Sequence, residues 1–150
     1  MASVTVRPRR IRRVCWVLAP VVVVFFAVLA WALGGEPADI GASGGAFSLS
    51  DQIAMAGLGL LGAGGILLLA RPRVTADERT ITIQNIIGGY RLPWEVVREV
   101  RFERGNPWAT LELEDDDVVA VMAVQAADKE HAVAAITALR DLLAASRSPR

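Results

Sequence analysis

The chain has 150 residues, 53% of them hydrophobic, and its 16 basic and 16 acidic side chains cancel. Neutrality removes any whole-chain electrostatic reason to expect nucleic acid, and a mean hydropathy of +0.41 is high for a soluble protein carrying 21% charge. One cysteine and one histidine exclude an intrachain disulfide framework, a cysteine-based zinc site and a paired-histidine metal site.

The zero charge is a sum of unlike parts. Residues 1–13 hold five arginines and no acid, residues 14–70 hold three acids and no base, and residues 71–150 hold eleven bases against thirteen acids. The first segment reads as an Arg-rich cytoplasmic tail. Val14–Leu33 follows as twenty residues without a charge. At ~1.5 Å per residue a helix of that length spans a bilayer's ~30 Å of hydrocarbon. Trp16 and Trp31 sit near its ends, where indoles favour the headgroup boundary. Pro20 is tolerated in a membrane helix with a local kink. Residues 34–52 form a Gly/Ala/Ser-rich loop with Glu36, Asp39 and Asp51, and residues 53–70 form a second apolar run ended by Arg71 and Arg73. Positive flanks stay in the cytoplasm, so the spans predict a multi-pass inner-membrane protein with both termini inside and residues 34–52 outside.

Two other readings compete. A cleaved secretory signal fits the basic start and the Ala30-Trp31-Ala32 match, but the apolar stretch exceeds the ~7–15 residues of a signal core. Gly57-Leu58-Gly59-Leu60-Leu61-Gly62 matches the G-x-G-x-x-G dinucleotide pattern, with Asp77 twenty residues after Gly57. That pattern requires a preceding strand and an exposed helix start, whereas here apolar residues continue to Ala70. Gly59 and Ala63 instead have the spacing of small residues that let helices approach.

From Arg71 the pattern turns to short alternation. Thr80–Gln84 places Ile81 and Ile83 on one face. Residues 85–89 (NIIGG) supply a turn, 90–93 a short strand, and 94–97 a helical turn. Residues 100–104 alternate, with Val100 and Phe102 inward. Gly105-Asn106-Pro107 breaks the chain, 110–114 alternate again, and three aspartates turn into Val118–Val124. That return strand is apolar on both faces and so is expected to be central or covered. Asp128–Ala145 predicts a helix with Asp128 as N-cap and a stripe of Val133, Ile136, Leu139 and Leu143. Residues 146–150 read as a flexible tail, which leaves 71–145 as the folded domain.

Arg91-Leu92-Pro93-Trp94-Glu95-Val96-Val97-Arg98-Glu99-Val100 resembles bacterial PH-like domains, in which a P-W-x-x-V-x-x-V segment links early strands to the middle of the barrel. Together with two preceding spans, it resembles the actinobacterial low-molecular-weight protein antigen 6 family. The resemblance implies an α+β chain: a transmembrane helical hairpin, then a PH-like antiparallel β-barrel or sandwich capped by a C-terminal helix. It implies no catalytic residues.

The candidate site residues are therefore few. Arg10, Arg12, Arg13, Arg71 and Arg73 are possible membrane-surface contacts, at ~1 kcal/mol each near anionic lipid. Trp94 and Trp108 are groove or core anchors. Glu114–Asp117 lacks the spacing of a calcium loop and falls at a turn. The NIIGG loop carries no cation, unlike the basic early loop of phosphoinositide-binding PH domains. No catalytic set, metal site or cofactor site can be assembled. The expected partners are the lipid bilayer and either another protein or a second copy, through a groove or strand edge. The expected role is a non-enzymatic binding or assembly module. The rival roles are a secreted antigen-like domain and an accessory subunit of a membrane enzyme or transporter complex.

Overall fold

The computed structural model describes residues 3–33 and 48–148. The chain forms two compact units, one of residues up to Arg12 together with Ala70 onward, the other of Arg13–Leu69. Most of the segment expected as an external loop (34–52) lies outside the described residues.

The second unit is a pair of long helices, α1 (Arg9–Leu33), whose first turn belongs to the other unit, and α2 (Leu49–Leu68). Both are long and apolar enough to cross a membrane, and only 17% and 11% of their apolar windows are buried. A core helix of a soluble protein would be mostly buried, whereas Trp16, Val17, Trp31 and Leu61 here stay exposed. The start of α2 is fixed by a reciprocal cap. Asp51 N donates to Ser48 Oγ at 3.3 Å, and Ser48 N donates to Asp51 Oδ2 at 2.8 Å. The helices meet along small residues. A Cβ on Gly59 would lie 2.7 Å from Phe26 Cβ, and one on Gly62 would lie 3.4 Å from Val22 Cγ1. The glycine-rich run thus lies well inside α2 and against α1, whereas a nucleotide site places its glycines at a helix start.

The first unit contains seven strands in two antiparallel sheets. The first sheet has the order β1 (Val4–Val6), β2 (Arg73–Ala76), β3 (Thr80–Gln84), β4 (Gly89–Pro93); the second has β5 (Val97–Arg101), β6 (Trp108–Leu113), β7 (Val118–Gln125). Helix α3 (Glu130–Arg147) closes the unit. Alternation puts Val74, Ala76, Ile81, Ile83, Val97, Val100, Leu111 and Val121 in one core, each 1% exposed or less. Leu139, fully buried on α3, adds ~1.5–3 kcal/mol by the same transfer from water. The two sheets are joined by a 3-10 turn, Trp94–Val96, the Pro-Trp segment on which the family resemblance rests.

Four expectations need correction. The basic tail of residues 1–13 is not a tail. Val4–Val6 is β1, paired with β2 from Val4↔Ala76 to Val6↔Val74, so the β1–β2 connection contains both apolar helices. Asp128 does not cap α3, whose N-cap is Lys129. Its carboxylate instead accepts from Arg9 N and Arg10 N, both at 2.9 Å, capping α1. The helix stripe is Ala132, Ala135, Ile136, Leu139 and Leu143, while Val133 is 62% exposed. The small alanines permit close approach, and they rotate the buried face away from the larger valine. The tail expected from 146 is helical through Arg147. Strand β7 meets the expectation of a central or covered strand by the second route: it lies at the edge of its sheet, and its apolar faces are covered by the first sheet and α3.

Candidate functional site

Strand edges are where a small β-domain can bind another chain, because each carries unpaired N–H and C=O groups. Two of the edges here are occupied by side chains. Arg140 Nε donates to Val100 O at 3.0 Å, while one Arg147 guanidinium nitrogen donates to Val97 O at 2.9 Å and Arg98 O at 2.7 Å. These α3 arginines cover the outer edge of β5. On β7, Asn85 from the β3–β4 turn takes the place of a missing strand. Its Nδ2 donates to Ala120 O at 2.8 Å, and its Oδ1 accepts from Met122 N at 3.2 Å. Asn85 is the buried polar residue of the core, 7% exposed, and no buried side-chain polar atom among the described residues lacks a partner. Strand β1 is only three residues long. Among the described residues nothing pairs with the outer edge of the five-residue β4, which carries exposed Tyr90 and lies beside exposed Ile87.

Trp94 is 1% exposed, and its Nε1 donates to Asp77 O at 2.7 Å. This indole is a core anchor whose polar end is satisfied, and its edge contributes to a groove bounded by Glu78, Arg79, Leu142 and Ala145. The acceptor is held by a tight turn. Asp77 Oδ1 receives Arg79 N at 2.8 Å and Thr80 N at 2.7 Å, and these backbone donors hold its carboxyl below the usual aspartate range. Trp108 opens β6, half-buried and opposite Gln125.

The acidic turn is engaged by arginine. Arg98 pairs with Asp116 and Glu114, which raises its guanidinium's affinity for its proton, and Arg147 approaches Glu114 at 3.7 Å. Asp116 adopts a left-handed φ of 67°, as a tight turn requires. Among the described residues no three His, Cys, Asp or Glu side chains are placed to share a metal ion.

Of the candidate membrane contacts, Arg10, Arg12 and Arg13 lie exposed on the first two turns of α1. Arg71 and Arg73 are exposed at and before the start of β2. Folding brings those two beside Arg91 of β4, a residue that sequence reading passed over because it is eighteen positions beyond Arg73. Strand alternation was its only available signal.

A family model described as a bacterial PH domain matches residues 71–142. The chain is 42% identical over 123 residues to "Uncharacterized protein Rv1417" of Mycobacterium tuberculosis, covering 82% of this chain and 80% of that protein. "Uncharacterized protein Mb1452" of Mycobacterium bovis gives the same figures. Low molecular weight protein antigen 6 of Mycobacterium tuberculosis is 33% identical over 63 residues, covering 42% of this chain and 55% of its own length. No solved structure matches the chain.

Proposed function

This chain belongs to one family with mycobacterial Rv1417 and carries a bacterial PH domain over residues 71–142, and on that premise we propose a two-span membrane protein whose PH-like domain is a non-catalytic binding or assembly module at the cytoplasmic face. The observation that carries this reading is the β1–β2 pair. Both apolar helices lie in the connection between two strands of one sheet. A chain that leaves a sheet, crosses a bilayer and returns to pair with its own earlier strand must cross an even number of times. Two spans satisfy that requirement. The arginines at 7–13 and at 71 and 73 then flank the same side, the arrangement expected of a cytoplasmic side.

The same pair weighs against a secreted form. Cleavage near Leu33 would remove β1 and leave Val74–Ala76 as a new edge of the domain. Covered β5 and β7 edges and an open β4 edge support a module that engages a partner through β4. Crosslinking in native membranes from a photoreactive residue at Tyr90 tests this. A discrete adduct with another protein is expected for a binding module, and one with a second copy for an assembly module. A chain whose mature N-terminus lies near residue 33, or that yields no adduct, would refute the reading.

A further inference from the structure

The register of the first sheet gathers cations that the sequence scatters. Thr75 pairs with Thr82 and Thr82 with Arg91, while Arg73 pairs with Gln84 one step along. Because Val74, Ile81 and Ile83 point into the core, these residues share the outward face. With Arg71 and Tyr90 they line a shallow depression of about 550 Å³, and among the described residues no carboxylate lines it. Among the described residues Arg71, Arg73 and Arg91 form no ion pair, in contrast to Arg98, Arg101 and Arg147. The Asp77 carboxyl feels Arg91 only weakly, behind the backbone donors of Arg79 and Thr80. Three guanidiniums without a carboxylate among them repel one another, and a bound anion relieves that repulsion. Guanidinium forks match phosphate oxygens in particular, and the threonine hydroxyls add donors.

We propose that this outer face of β2–β4 binds the phosphate of an anionic phospholipid in the membrane that anchors the chain. The proposal rests on the two-span reading and gives its domain a ligand. Arg71 follows the last residue of α2, Leu68, by three positions, so the chain allows at most ~10 Å between their Cα atoms. The depression is therefore tied to the end of a span, within reach of headgroups. The cations come from strands, not from the cation-free turn at 85–89.

The test uses the full chain, extracted in neutral detergent with equal amounts of phosphatidylcholine and phosphatidylglycerol, and native mass spectrometry of retained lipid. Wild type is expected to keep phosphatidylglycerol preferentially. Arg91→Gln is expected to lower that preference about fivefold, although Arg91 flanks no span and cannot act through topology. Thr82→Glu, which places a carboxylate in the depression, should abolish it, and Arg104→Gln should leave it unchanged. Thermal melts of each variant confirm that the domain is folded. Unchanged retention in both Arg91→Gln and Thr82→Glu would overturn the proposal. So would release of the lipid by millimolar inorganic phosphate, which identifies a free anion, or by a synthetic acidic peptide, which identifies a protein ligand. Alkaline carbonate extraction is read separately: a wild-type chain that leaves the membrane defeats the two-span reading itself, whatever the lipid result.

Discussion

Replacing Asn85 with alanine removes the side chain that stands in for a strand beside β7. Two backbone groups lose their partners, the Ala120 carbonyl now 2.8 Å from Nδ2 and the Met122 amide now 3.2 Å from Oδ1. An unsatisfied buried group costs ~1–3 kcal/mol. Ala120 and Met122 are half-buried, so water recovers part of each loss and a total of ~2–3 kcal/mol is expected. Hydrogen exchange by mass spectrometry on the full chain in micelles reads this locally, since ~2 kcal/mol corresponds to roughly thirtyfold faster exchange along β7. Asn85→Asp sharpens the test. Its carboxylate still accepts from Met122 N but faces the Ala120 carbonyl with no proton to donate. Destabilisation should thus be at least as large at neutral pH and should ease in acid, when a carboxylic O–H can donate. Wild-type exchange along β7 in Asn85→Ala would refute the role assigned to this side chain.

Three further outcomes are expected. Gly59→Leu should separate α1 from α2 at a cost of ~1–3 kcal/mol, because even a Cβ would lie 2.7 Å from Phe26 Cβ. Phe26→Ala should restore part of it, while Gly64→Ala, with nothing within 4 Å, should not weaken the pair in a denaturing-detergent titration. Arg140→Ala with Arg147→Ala exposes the β5 carbonyls that both now cover and should produce concentration-dependent association in light scattering; an unchanged mass would contradict the covering role. Asp77 contributes stability above the ordinary aspartate range, because its folded carboxyl is held low by the Arg79 and Thr80 amides. That contribution disappears as pH falls through the depressed value. Asp77→Asn, which keeps an accepting oxygen, should flatten the acid limb of the melting profile without abolishing folding.

Local patterns were legible and distant ones were not. Ile81 and Ile83 declared an inward face by alternation, and the Pro93-Trp94 step declared the junction between sheets. Val4–Val6 could not be read as a strand, since its three residues lie beside a run of arginines and its partner is about seventy positions away. Asp128 has the chemistry of a helix cap, and sequence proximity assigned it to α3; the helix it serves begins 119 residues earlier. Asn85 looked like turn punctuation because nothing local reveals that β7 has an open edge. Gly59 and Ala63 were readable as a close-approach pair, whereas Phe26 as the neighbour required coordinates. Of the basic face, Arg71 and Arg73 were visible as span flanks. Arg91 joined them only through the β2–β3–β4 register.

Topology is the claim on which the rest depends, and single-cysteine labelling in intact cells measures it most directly. In a Cys15→Ala background, Ser43→Cys should react with a membrane-impermeant maleimide from outside. Thr5→Cys in β1 and Asp116→Cys in the β6–β7 turn should react only after permeabilisation, and together, since both belong to one folded unit. Labelling of Asp116→Cys from outside intact cells would contradict a cytoplasmic domain assembled from the chain on both flanks of the two spans.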